Sequence, residues 1–183
     1  MNENDLRVQR TRRLLQEALI ELANQHDFGQ ITIRDITQTA QVGYKTFFRH
    51  YENKDSLMLA IVESFIEQFQ QAIVAPDEPD AVRRNTLIAL QIARENREMY
   101  RAILNSPSAA QLLHPVLMMG YEDGKRFFGR TSLPNTLVAH HFTTSTIALL
   151  AWWLDSDETY SAEEMVAFID QLLIRPIEQL RET

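Results

Sequence analysis

Cysteine is absent from the 183-residue chain, which removes disulfides, thiolate metal ligands and a Cys nucleophile together. Glycine and proline are scarce, five and six residues, well under the usual share of about 12% for the pair. A sandwich or barrel turning on many Gly/Pro loops is therefore disfavoured, and an all-α fold is expected. No run of about 18 apolar residues occurs, and the opening MNENDLRVQR lacks the basic and apolar regions of a secretory signal, so a soluble, cytoplasmic protein without a membrane partner is expected. Also missing are a Gly-rich phosphate loop, H-E-x-x-H and G-x-S-x-G. No enzyme activity and no cofactor are expected.

The charge is uneven. The net charge is −7, yet residues 1–54 hold eight Lys/Arg against seven Asp/Glu, and the remaining residues ten against eighteen. A polyanionic partner would belong at the N-terminal end, and the acidity of the rest reads as a solubilising surface.

Helical periodicity runs through the chain. Leu15, Ala18, Leu19, Leu22 and Ala23 follow i, i+3, i+4, i+7, i+8 and predict an amphipathic helix from about Asp5 to His26, ended by Phe28-Gly29. Thr32 with Asp35 three residues on forms a capping box for a short second helix reaching about Ala40. Gln41-Val42-Gly43 interrupts the pattern, and Tyr44 to His50 resumes it with Phe47 and Tyr51 facing inward. Asn53 is a good N-cap for a fourth helix from Lys54 to about Ala75, stopped by Pro76 and Pro79. Further helices are expected over 80–95, 97–105, 108–129 and 135–154. Ser161 and Glu164 make a capping box for the last, about 162–180, which Pro176 should kink or end early. The count is about nine helices with no strand pattern.

The third of these helices is the size of a groove reader. Tyr44, Lys45, Thr46, Arg49 and His50 lie outward on it. Thr32, Arg34, Lys54 and the arm residues Arg7, Arg10, Arg12 and Arg13 stand where phosphates would be met. The segment ITIRDITQTAQVGYKTFFRHYENKDSL, ending at Leu57, resembles the helix-turn-helix of the TetR family of bacterial transcriptional regulators. It shares T-x-R-D-I, an A-x-V turn, T-[LF]-[FY]-x-H-[FY] and N-K-[DE]-x-L. Departures are Gln41 where the turn usually has Gly, Gly43 in place of a Ser or Thr cap, Thr37 in place of Ala, and Phe48 and Arg49 at two positions that are often Tyr.

The resemblance implies an N-terminal DNA-binding domain over 1–53 and a regulatory and dimerising domain over 54–183. DNA contacts are expected from Thr32, Arg34, Gly43, Tyr44, Lys45, Thr46, Phe48, Arg49, His50 and Lys54. It further implies a homodimer on a palindromic double-stranded operator, with repression relieved by a small molecule that tilts the fourth helix. The last two helices would pair with their two-fold mates, using Leu150, Trp153, Met165, Phe168 and Leu172. Met99, Tyr100, Met118, Met119, Tyr121 and Phe142 could line a cavity for a mainly apolar effector, although such side chains at helical spacing also suit a plain core. A DNA-bound interaction protein working through a protein partner is the alternative. Gly120-x-x-x-Gly124 favours a close helix crossing or a kink. His140 and His141 diverge by about 100° on a helix and, with His114, do not form a metal set.

Overall fold

The computed structural model describes residues 3–156 and 160–181. Among these residues there are nine helices and no strands: α1 (Glu3–Ala23), α2 (Ile33–Thr39), α3 (Tyr44–Phe47), α4 (Lys54–Ala72), α5 (Ala81–Glu95), α6 (Arg97–Leu104), α7 (Ala109–Phe128), α8 (Asn135–Asp155) and α9 (Ala162–Ile169). A 3-10 turn (Phe28–Gln30) precedes α2, and α9 runs on through a π-helical turn (Asp170–Ile174) into a closing α-turn (Arg175–Glu178). The all-α class and the order of elements follow the expectation. No helix is long and apolar enough to cross a membrane among these residues.

The chain divides into two compact units. One comprises residues 1–64 and 98–112, the other 65–97 and 113–183. In the first, α1 packs on α2 and α2 on α3. The α1 stripe Leu15, Ala18, Leu19, Leu22 and Ala23 is buried, as are Ile36, Ala40, Phe47, Tyr51, Leu57, Met58 and Ile61. The inward spacing read from the sequence is therefore the spacing of the core.

In the second unit α5 packs on α9 and on the π-turn. The core holds Leu90, Trp153, Met165, Ile169, Leu173, Ile174 and Ile177. Pro176 accounts for the break in the last helix. It has no N–H to give the carbonyl four residues back, and its ring would strike that carbonyl. A π-turn immediately before it widens the backbone, the usual form such a bulge takes inside a helix. The turn places Asp170, only 6% exposed, between two cations. Arg83 of α5 approaches its Oδ1 at 2.6 Å and Arg175 donates to its Oδ2 at 2.6 Å. Arg83 also donates twice to Glu178, at 3.0 and 2.9 Å. Those bonds hold the Glu178 carboxyl below its ordinary range, so the fold gains from its charged form above that range and loses this gain as pH falls through it.

The Gly120/Gly124 pair is a close crossing of α7 on α8. A Cβ on Gly124 would lie 2.5 Å from the Cβ of Ala139 and 3.0 Å from its Cα, and one on Gly120 would strike the Thr143 side chain. Backbone cannot retreat as a flexible side chain can. Gly124→Ala is accordingly expected to lower stability by about 1–3 kcal/mol, despite alanine's higher helix propensity. A urea melt with an unshifted or raised midpoint would show that α7 and α8 do not cross this closely.

Candidate nucleic-acid interface

The second and third helices owe their placement to local chemistry on both sides of the turn. At the start of α2 the capping box is complete. The Asp35 amide donates to Thr32 Oγ1 at 3.2 Å, and the Asp35 carboxylate accepts from the Thr32 amide at 2.8 Å and from its hydroxyl at 2.7 Å. These bonds lower the Asp35 pKa. The Thr32 hydroxyl proton is thus committed within the chain, while Arg34 stands exposed on the next turn.

At the other end of α2 the Gln41 amide donates to the Gln38 carbonyl at 3.1 Å and the Val42 amide to the Thr37 carbonyl at 2.9 Å. This is a Schellman closure with Gln41 in the position that glycine usually takes. Its φ is +53°. A side chain in that region costs about 1–2 kcal/mol, so the departure from the family's Gly is met by strain at Gln41 and not by a different turn. Thr37, buried in place of an alanine, satisfies its hydroxyl by donating to the Arg34 carbonyl at 3.0 Å.

Helix α3 is shorter than the expected Tyr44–His50. Regular helix stops at Phe47, and the Arg49 and His50 amides then donate three residues back, to Thr46 and Phe47. Gly43 caps its start through backbone conformation alone. A single turn has no stability of its own. It is held by Phe47, fully buried, whose ring lies 5.8 Å from that of buried Tyr51. Gln16 of α1 reaches the Tyr51 hydroxyl at 3.5 Å and the Ala60 carbonyl at 3.4 Å.

With its inner side fixed, α3 presents Tyr44, Lys45, Phe48 and Arg49 to solvent, with Thr46 half-buried. Neither Lys45 nor Arg49 has a carboxylate partner among the described residues. His50 is half-buried at the end of the turn. Burial, and then the guanidiniums of Arg12 and Arg49, lower its pKa, so the ring is neutral at pH 7 and offers an N–H without a formal charge. Arg12 of α1, one of the arginines expected at the phosphates, is thus among the charges that act on this ring. Arg7, Arg10 and Arg13 are exposed on a helix that already runs from Glu3, so the expected arm is helical, and Arg13 pairs with Glu17 at 3.5 Å.

Lys54, expected at a phosphate, is bonded within its own unit. Its ammonium donates to the carbonyls of Phe28 at 2.8 Å and Ile31 at 3.0 Å and lies 4.1 Å from the Phe28 ring centre. Two of its three N–H groups and its cation–π face are used inside the unit, and burial lowers its pKa. The lysine ties the turn before α2 to the start of α4, where Asn53 Oδ1 accepts from the Ser56 amide at 2.8 Å.

The six residues expected to line an effector cavity are divided between the two units. Met99 and Tyr100 belong to the first unit and Met118, Met119, Tyr121 and Phe142 to the second. Met99 is fully buried and Met118 exposed. The Tyr121 hydroxyl meets His140 Nδ1 at 2.6 Å. Phe142 packs edge-on against Phe128, 5.0 Å away, beside Val138 and Ile177. Burial raises the Tyr100 pKa.

Of the expected dimer contacts, Trp153 is 5% exposed and donates from Nε1 to the Tyr160 carbonyl at 3.0 Å, and Met165 is buried, so both belong to the core of the second unit. Leu150 is half-buried. Phe168 and Leu172 do reach the surface, and beside them stands Trp152, 50% exposed.

A capped α2, a Schellman turn and a braced α3 in an all-helical chain form a helix-turn-helix. Residues 15–61 match the family model of the bacterial regulatory proteins of the tetR family. It is 28% identical over 178 residues to YxbF of Bacillus subtilis, an HTH-type transcriptional regulator, covering 91% of this chain and 46% of that protein. It is 26% identical over 93 residues to DhaS of Lactococcus lactis, an activator of the dhaKLM operon, covering 51% of this chain and 48% of DhaS. The chain spans about half the length of these curated relatives. Among solved structures it resembles NalD of Pseudomonas aeruginosa, the secondary repressor of the MexAB-OprM multidrug efflux pump, with a TM-score of 0.71 at 15% identity over 91% of this chain and 96% of NalD.

The Lys54 geometry predicts that Lys54→Ala lowers stability by about 1–3 kcal/mol, the scale of charge-assisted hydrogen bonds. The slope of log K against log salt for DNA binding should be unchanged, because no phosphate contact is lost. A slope reduced by about one unit with unaltered stability would restore the lysine to the phosphates.

Proposed function

We propose that the chain is a transcriptional regulator that binds a palindromic operator as a homodimer through α2 and α3, represses from it, and is released by a mainly apolar small molecule. The observation that carries the DNA-binding part is α3 itself. Its inner side is spent on Phe47 and its outer side carries Tyr44, Lys45, Phe48 and Arg49. Lys45 and Arg49 are the residues suited to base edges, where a bidentate contact discriminates by about 1–3 kcal/mol. Arg12, Arg34, Thr46, His50 and the Gly43 backbone suit positioning on phosphates, while Lys54 is spent on bonds within its unit. Repression is the mode named for NalD and activation the mode named for DhaS. Repression is the reading kept here, tested by a reporter fused to the bound promoter. Effector release requires a ligand with different affinity for the DNA-bound and free forms.

For the dimer, the supporting feature is an unpartnered apolar face in the second unit. Leu137, Ala148 and Trp152 are exposed along one side of α8, Phe168 on α9 and Leu172 on the π-turn that follows it. Tyr160 stacks on Trp152 at 6.2 Å and meets Phe168 edge-on at 5.1 Å. An isologous pairing of this face would cover it in both subunits.

Trp152→Asp should yield a helical monomer in sedimentation, since a carboxylate cannot be buried in an apolar interface without a cost of several kcal/mol. Trp153→Ala should instead lower stability by about 3–5 kcal/mol as a core truncation. A Trp152→Asp protein that stays dimeric at micromolar concentration would place the interface elsewhere.

A further inference from the structure

Within the N-terminal unit the large apolar side chains left exposed among the described residues are Leu6, Tyr44 and Phe48, and two of the three bound α3, Tyr44 at its start and Phe48 as the residue that caps its end. They are four residues apart, so one lies above the other on the same side of the turn. Their ring centres are 5.3 Å apart at 66°, and Phe48 is also 5.3 Å from the buried Phe47 ring at 74°. Phe48, 47% exposed, is thus wedged between a core ring and a surface ring. It forms a rigid apolar ridge where the family's common tyrosine would present a hydroxyl.

Resting on the DNA-reading role of α3 proposed above, we infer that the Tyr44–Phe48 ridge reads a thymine by its C5-methyl group. The edges of guanine, adenine and cytosine in the major groove are donors and acceptors, and the thymine methyl is the one apolar feature there. A phenyl ring set against a donor or acceptor removes it from water without a replacement bond, which is unfavourable. Against a methyl it buries apolar surface on both sides. The ridge therefore selects for thymine and against the other three bases. Lys45 and Arg49, also four apart and one position further round, offer donors to a neighbouring guanine.

The test uses the full chain to select duplexes from a random library, then remakes the enriched duplex with each thymidine in turn replaced by deoxyuridine, which removes only the methyl. At one position in each half-site the replacement should weaken binding by about fourfold, the effect of one buried methyl group. Phe48→Ala should lose a similar factor on the thymidine duplex and show no thymidine-over-deoxyuridine preference at that position. Phe48→Leu, which keeps an apolar side chain, should retain part of it. The base replacement reads the wild-type protein, so it stands whether or not a variant folds. Equal affinity for every deoxyuridine duplex overturns the methyl reading, and a preference that persists in a folded Phe48→Ala assigns the methyl to another residue and overturns it too. Enrichment of no sequence overturns the DNA-reading role of α3 itself, whereas enrichment without methyl dependence overturns only the thymine assignment.

Discussion

Burial of Phe47 is the contact on which the DNA-facing surface depends. Helix α3 has four residues of regular structure, far short of the length at which a helix is stable in water. Its outward residues have a defined direction only because this one ring is enclosed by its neighbours and Tyr51 continues the same face. Position follows from the turn before it, where the Gln41 and Val42 amides close α2. The strain at Gln41 is local and small beside what the packing of Phe47 supplies, since truncating a buried Phe costs about 3–5 kcal/mol. That difference is why the turn keeps its geometry without glycine.

Most of the architecture was legible because it is written in period and punctuation. The α1 stripe, the Thr32–Asp35 and Ser161–Glu164 boxes, the Asn53 cap and the break at Pro176 each have one physical reading, and each is found in place. The internal bonds of Lys54 were not legible because its sequence position, at a helix start near an outward cationic cluster, is the same for a phosphate contact and for a strut. Only the fold brings the Phe28 and Ile31 carbonyls to it, from more than twenty residues away. The direction of Trp153 was not legible for another reason. Helix α8 is apolar around most of its circumference, so periodicity does not fix which of two adjacent residues faces in. The Tyr160 carbonyl that takes the Trp153 indole N–H decides it, and that contact crosses a turn. Charge gave no warning of Asp170 either, since its partner Arg83 lies on α5.

The two units are built differently, and the contrast bears on function. In the first, nearly every polar device serves to fix a backbone turn: the Thr32–Asp35 box, Lys54 on two carbonyls, the closure at Gln41. The result is a rigid support for a few exposed side chains, the arrangement a base-reading surface needs. In the second, small residues let α7 and α8 approach closely and an ion-pair cluster holds the π-turn, while a line of large apolar side chains on α8 and α9 is left uncovered. A face of that kind on a stable unit marks an interaction surface, and in the proposed homodimer its self-pairing would give α3 the two-fold partner that a palindrome requires.

Hydroxyl-radical footprinting of the purified protein on the DNA flanking its own gene tests the braced recognition turn most directly. Two protected patches are expected on one face of the duplex, centred about one helical turn or a multiple of it apart, and both should vanish in a folded Lys45→Ala, Arg49→Ala double variant. Absence of protection by the wild-type protein, or protection that survives in that variant, would contradict the assignment of α3 as the element that reads DNA.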